Sequence, residues 1–227
     1  MRVVVAIPTL NEAPHIEGVV RQIVDGTSEA VKTEVLVLDG GSTDGTQDKV
    51  EALAEELPNL KLVHNPGRSQ AAALNMLLAS EFQDVDVLIR ADAHAEYPEG
   101  FVQSLIESLA AHSAQSVVIP MDAVATQGCF QRGLAWIADT KLGAGGSPHR
   151  GGAASGYVDH GHHAAFDMET FRRLGGYDVN FIANEDAEYD RRDKERAQGG
   201  DGESGKKRAG RGGRRGKAKQ RQGDRPP

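Results

Sequence analysis

The chain predicts an α/β fold with a mostly parallel central sheet flanked by helices, and three observations point there. Short apolar runs recur at residues 3–7, 35–38, 60–63, 85–89 and 117–119. Several are nearly continuous rather than alternating, which suits strands covered on both faces. Segments with helical spacing lie between them, so strand and helix alternate four times, the rhythm of crossover connections.

The elements follow in order. Ile16, Val19, Val20, Ile23 and Val24 fall at i, i+3, i+4, i+7 and i+8, one face of a helix. Val50, Leu53, Ala54 and Leu57 repeat that spacing, and Pro58 stops it. Helices are predicted over 69–79 and 99–111, the second opened by Pro98 near its first turn. Beyond Pro120 the rhythm breaks. Residues 121–155 mix short apolar pieces with glycines at 143, 145, 146, 151 and 152, and read as a mobile excursion or lid. A strand is expected near 164–166, then a helix from about 168 to 174 stopped by Gly175 and Gly176. Asn184 reads as the N-cap of a last helix running through Ala197. From about Gln198 almost no apolar residue remains, and such a segment buries too little to offset ordering entropy, so it is expected to be disordered.

Charge divides the chain in the same place. Residues 191–227 carry 14 Lys and Arg against 5 Asp and Glu, leaving 12 against 28 in residues 1–190. An acidic body argues against broad binding of nucleic-acid phosphates, and no specific nucleic-acid partner is expected. A basic tail without interleaved aromatics offers at most weak, salt-sensitive binding to anions or an anionic membrane surface. The single cysteine, Cys129, cannot form an internal disulfide, which fits a reducing compartment. No signal peptide or membrane-spanning run is evident. The expected location is cytoplasmic, or peripheral at the cytoplasmic face of the membrane.

Polar residues gather where strands end. The first strand leads into Pro8-Thr9-Leu10-Asn11-Glu12, the second into Asp39-Gly40-Gly41-Ser42, and the fourth into Arg90-Ala91-Asp92-Ala93-His94. Ligands of open parallel sheets bind beyond such carboxyl ends. The first turn lacks the glycines of a dinucleotide fingerprint or P-loop. Asp92 and His94, two residues apart on an extended exit, instead suit Mn²⁺ or Mg²⁺ with a diphosphate completing the shell. Each feature has a plainer reading. Asp39 is good turn chemistry anywhere, and Asp44 reads as a helix-start residue. Arg68 could be a surface residue, His94 could only bond a neighbour, and Glu185 and Asp186 could be ordinary first-turn acids. His160, His162 and His163 do not match zinc spacings and read as structural or acceptor-site residues. Trp136 and Phe130 read as packing.

Five segments in succession resemble the signatures of family-2 glycosyltransferases: residues 8–12, residues 39–46, residues 65–68 through Asn75, Asp92-Ala93-His94 in the place of an Asp-x-Asp motif, and Asn184-Glu185-Asp186. His94 and residues 158–163 are especially similar to the succinoglycan-type exopolysaccharide glycosyltransferases. The resemblance covers roughly residues 2–192. It implies a GT-A fold in residues 1–190, and composition marks 191–227 as a basic, Gly/Arg-rich tail. It further implies an inverting transferase that moves a sugar from a UDP-sugar to a saccharide or lipid-linked acceptor in exopolysaccharide or cell-surface glycan synthesis. Thr9 and Asp39 would contact the uracil and ribose, and Glu12 and Arg68 would line that pocket, with Pro8, Asn11, Gly41 and Asn75 in the same binding motifs. Asp92 would lie by the ribose and metal, and His94 would ligate the metal. Asp186, with Glu185 beside it, would be the general base, and the helix dipole would favour its ionised form.

Two departures stand out. Gly40 occupies a position where the family often has a second acid. After Asp186 the family continues with an apolar helix, whereas residues 191–196 show no apolar face. That pattern resembles a truncated or frame-shifted end, with a poorly anchored catalytic helix and a donor-binding but catalytically impaired domain as its consequence. Two other classes compete. A sugar-nucleotide pyrophosphorylase would need a Gly-rich basic loop that residues 8–14 lack, and a non-enzymatic module would act through the tail.

Overall fold

The computed structural model describes residues 1–27, 31–119, 137, 162–181 and 183–200, with backbone only for 197–200. The predicted excursion at 121–155, His160, Trp136, Phe130 and the tail from residue 201 lie outside the described residues, Ile137 apart. The chain runs β1 (Arg2–Thr9), α1 (Ile16–Asp25), β2 (Lys32–Asp39), α2 (Thr46–Glu56), β3 (Leu60–His64), α3 (Gln70–Asn75), β4 (Val87–Arg90), α4 (Phe101–His112), β5 (Ser116–Ile119), β6 (His162–Asp167), α5 (Met168–Leu174) and α6 (Glu185–Gly200).

Six strands form one sheet in the order β3-β2-β1-β4-β6-β5. The first four pair in parallel, and β6 runs antiparallel between β4 and β5. The continuous apolar runs now have a cause. Val3, Val5 and Ile7 face one core with α1, α2 and α4. Val4 and Ala6 face a second core with α3 and α5. Both faces of the sheet are therefore buried, and each fully buried large aliphatic side chain contributes about 1.5–3 kcal/mol.

Some boundaries moved for local reasons. The fourth strand starts at Val87 rather than Val85, because Asp86 is drawn aside: its carboxylate accepts the Arg2 N–H at 2.7 Å and its carbonyl accepts the Met168 N–H at 2.9 Å. The fourth helix starts at Phe101, after Gly100 turns the chain at φ +71°. Beyond Asn75 the predicted third helix tightens into two 3₁₀ turns, Met76–Leu78 and Ser80–Phe82. Asp167 caps α5 by accepting the Thr170 N–H, and Gly175 ends it at φ +78°.

The last helix is not loosely held. Tyr189 is buried among Phe166, Phe171, Tyr177 and His163, with ring centroids 5.5–5.9 Å from its own. Arg192 donates to the carbonyls of Leu174 and Gly176 at 2.6 and 2.7 Å, and to the buried Glu188 at 2.6 Å. The missing apolar face is replaced by one tyrosine and an arginine that caps carbonyls left over at the end of α5. The weak anchoring expected from residues 191–196 is corrected accordingly.

Candidate donor and catalytic site

The parallel registers set Thr9 beside Asp39 and Asp39 beside His64, so the ends of β1, β2 and β3 line one edge. Because β6 is antiparallel, its first residue, His162, arrives at that same edge, next to the end of β4.

The β1 and β2 side of this edge is built from hydrogen-bonded turns. Asn11 takes φ +57°, its N–H bonds the Ser42 hydroxyl at 2.7 Å, and its amide oxygen accepts the Thr43 N–H at 2.8 Å. The Glu12 and Ala13 N–H groups donate to Thr46 Oγ1 and Asp44 Oδ2 at 2.9 and 3.0 Å. Asp44 is thus a loop tie. The buried Asp39 accepts from Gly41 N–H at 2.8 Å, Ser42 N–H at 3.0 Å, the Ser42 hydroxyl and the Gln47 amide at 2.6 Å. Gly41 takes φ +90°, which a side chain would resist. Arg68 takes φ +52°, and a Cβ at Gly40 would meet its Cα at 3.4 Å, an ordinary contact. The Thr9 hydroxyl donates to the Ile7 carbonyl at 2.9 Å, and Pro8 lies opposite Leu38 within the ladder.

Burial alone would push the Asp39 carboxyl up. The Ser42, Gly41 and Gln47 donors outweigh it and hold the group below its ordinary value. Its folded value is depressed, so its stabilising contribution is present above the unfolded value of about 3.9 and is lost as pH falls through the folded one. Ser42→Ala removes one of those donors. A carboxyl ¹³C NMR titration is expected to show Asp39 titrating at higher pH in that variant than in the unsubstituted chain. Acid destabilisation should begin at correspondingly higher pH.

On the other side, Asp92 leaves β4 largely buried. His162 Nε2 stands 3.2 Å from Asp92 Oδ2. Burial opposes the Asp92 charge, but His162, Arg90 and His94 together hold its carboxyl below the usual range. His94 is exposed, with Nδ1 2.9 Å from Glu12 Oε1. Among the described residues no group of three or more His, Cys, Asp or Glu forms a ready cation cage. A cation delivered with a diphosphate needs only one or two protein ligands, the rest coming from phosphate and water. Asp92 and His94 have the donor atoms for that role, with Asp92 now beside His162 and His94 beside Glu12.

Arg90, at the end of β4, is buried and was not singled out from the sequence. Its Nη1 lies 3.1 Å from Asp186 Oδ1 and its Nη2 3.2 Å from Asp186 Oδ2, a two-pronged pair. Nη1 also reaches the Tyr177 hydroxyl at 3.3 Å, and Nη2 lies 2.6 Å from His162 Nδ1. Burial works against the cation, but the Asp186 and Asp92 carboxylates around it raise its pKa above the ordinary value. Tyr177, pushed well above its usual pKa mainly by burial, stays protonated and donates to Asp186 Oδ1. One signal was available in sequence: a charge directly closing the apolar residues 87–89. Nothing in sequence marked Tyr177.

Two expected site residues have protein partners away from Arg90. The Asn75 amide clasps the Tyr177 backbone, donating to its carbonyl at 2.7 Å and accepting its N–H at 2.8 Å. A Cβ at Gly176 would meet the Asn75 oxygen at 2.1 Å, so glycine is required there. Glu185 accepts the Gln70 amide at 3.3 Å, on the α3 side. His163 is buried in the aromatic group with Nε2 3.0 Å from Asp190, a structural position.

Residues 4–175 match the family model described as glycosyl transferase family 2. The chain belongs to that family. The family-2 domain is 43% identical over 188 residues to succinoglycan biosynthesis protein ExoA of Rhizobium meliloti (strain 1021), covering 83% of this chain and 56% of ExoA. It is 29% identical over 111 residues to a dolichol-phosphate mannosyltransferase of Pyrococcus furiosus, covering 48% of this chain and 30% of that protein. The chain thus spans little more than half the length of the one relative and under a third of the other. Among solved structures, mannosyltransferase PcManGT from Pyrobaculum calidifontis, in complex with GDP-Man and Mn²⁺, superposes with a TM-score of 0.58 at 28% identity, covering 82% of this chain and 50% of that one. S. aureus TarS 1–349 in complex with UDP superposes at 0.60 and 17% identity, covering 84% and 54%, a likeness of fold. The family-2 domain has the GT-A type of fold, a mostly parallel six-stranded sheet flanked by helices. Among the described residues, no helix is long and apolar enough to cross a membrane.

Proposed function

We propose that this domain is the transfer centre of an inverting glycosyltransferase of exopolysaccharide synthesis. It takes a sugar from a UDP-sugar and passes it to a hydroxyl of a saccharide or lipid-linked acceptor. The observation that carries this reading is the convergence of two carboxylates, Asp92 from the β4 exit and Asp186 from the first turn of α6, on Arg90 and His162.

The chemistry follows from that pairing. Asp186 removes the proton of the acceptor hydroxyl, whose oxygen attacks the anomeric carbon from the face opposite the diphosphate. The anomeric carbon–oxygen bond breaks with its electrons leaving on the diphosphate, and the configuration inverts. Bound Mn²⁺ or Mg²⁺, held by Asp92 and His94, would supply positive charge to the leaving diphosphate. Thr9, Asn11, Glu12, Asp39, Gly41 and Arg68 shape the nucleoside end. PcManGT's GDP-Man and Mn²⁺ support a nucleotide-diphosphate donor with a divalent cation, and ExoA supports the exopolysaccharide role.

Thermal unfolding with UDP, GDP or ADP, each with and without Mn²⁺, tests the donor site. Ligand at 100 times its Kd stabilises by about 2.7 kcal/mol, and Tm moves about 2–4 °C per kcal/mol for a domain of this size. A Mn²⁺-dependent rise of several degrees with UDP alone is expected. A rise with GDP alone would replace the uridine donor, and no rise with any nucleotide would remove the donor site.

A further inference from the structure

The transfer reaction proposed above gives Arg90 no task, yet Arg90 is among the largest fully buried side chains and closes β4 at the middle of the site. Resting on that reaction, we infer that Arg90 is the positioning residue that aims the Asp186 carboxylate and leaves Oδ2 as the atom that takes the acceptor's proton. Oδ1 accepts from both Arg90 Nη1 and the Tyr177 hydroxyl, whereas among the described residues Oδ2 accepts from Arg90 Nη2 alone. A carboxylate oxygen offers two lone-pair sites, so Oδ1 is filled and Oδ2 keeps one. The Asp186 side chain retains 18% of its surface, so it is not sealed in the core as Arg90 is. The fork of the guanidinium fixes the carboxylate plane, which a single point charge would leave free to turn.

The other prong is held too. Arg90 Nη2 meets the His162 ring, whose Nε2 faces Asp92, so one guanidinium sets the base on α6 relative to the donor-side carboxylate beyond β4. In the reaction the acceptor O–H proton moves to Oδ2, the acceptor oxygen bonds the anomeric carbon, and the diphosphate departs with the electron pair. Asp186 ends as a neutral acid beside Arg90 and returns its proton to water.

The test uses the full chain in two arms. In ¹⁵N-arginine-labelled protein, restricted rotation of the Arg90 guanidinium is expected, seen as separate Nη signals, and is lost in Asp186→Asn. That arm does not depend on turnover. In the second, UDP or GDP release from UDP-glucose, UDP-galactose and GDP-mannose is measured with a membrane lipid extract as acceptor. Arg90→Gln is expected to lower kcat by about 100-fold or more, with donor KM little changed. Arg90→Lys recovers part of the loss, a rescue that a purely packing role does not produce. Tyr177→Phe leaves no charge unpaired and loses about fivefold, as for one hydrogen bond. If Arg90→Gln does not fold, the other two variants decide.

A freely rotating guanidinium in the unsubstituted chain, or unchanged kcat in folded Arg90 variants, overturns the inference and leaves the transfer reaction standing. No release from any of the three donors by the unsubstituted chain, with UDP binding intact, overturns the transfer reaction and the inference with it.

Discussion

Asp186→Asn is expected to reduce sugar transfer by about 10²–10⁴-fold, the contribution of a positioned general base, while UDP still binds. The substitution keeps size and shape but replaces a carboxylate oxygen with an N–H₂ group. An amide cannot take the acceptor's proton, and its N–H₂ would face the Arg90 donors. The guanidinium would then lose its two-pronged partner while buried. Removing one partner of a buried pair costs about 3–5 kcal/mol, and the partial exposure of Asp186 places the loss below that range. Initial rates and thermal unfolding measured together separate the two effects. A folded variant that still binds UDP yet transfers at the unsubstituted rate would take the base role away from Asp186.

The second large effect lies in the core under that base. Phe166, on β6, is fully buried, with ring centroids 5.2–5.9 Å from His163, Phe171, Tyr177 and Tyr189. Phe166→Ala is expected to cost about 3–5 kcal/mol, for lost transfer energy and the cavity left behind. The loss reaches the site, because Tyr177 and Tyr189 both lean on this ring while Tyr177 holds Asp186 and Tyr189 holds α6. A calorimetric Tm lowered by about 6–20 °C, at about 2–4 °C per kcal/mol, should accompany weaker turnover. A shift of only a degree or two would show that the cluster repacks around the gap.

Much of this was legible in the sequence for one physical reason. Continuous apolar runs such as 3–7 arise only where both faces of a strand are covered, and residues that follow such runs emerge at the sheet edge where ligands bind. Asp39, Asp92 and the turn at Asn11 could be placed that way. Strand order could not, since periodicity says nothing of neighbours. The insertion of β6 between β4 and β5, which brings His162 to Asp92, was therefore hidden. The Asn75 clasp was hidden for the same reason, since its partner Tyr177 lies 102 residues away in sequence. The hold on α6 was missed because a face of arginines reads as solvent-exposed, and an arginine that caps carbonyls looks no different in sequence.

The strand order carries a consequence for how the molecule assembles. Strand β5 sits at the edge of the described sheet and pairs with β6 alone, Ser116 opposite Phe166. A chain emerging from the ribosome makes β5 long before its neighbour exists, and two strands so far apart in sequence pair only at a cost in chain entropy. Their pairing docks His162 against Arg90 in the same event. Before that docking, the buried cation has no imidazole beside it and Asp92 no histidine. Pairing of β6 thus ties the outer half of the sheet to the site through His162, and the helix that carries Asp186 can dock only on a chain already past that strand.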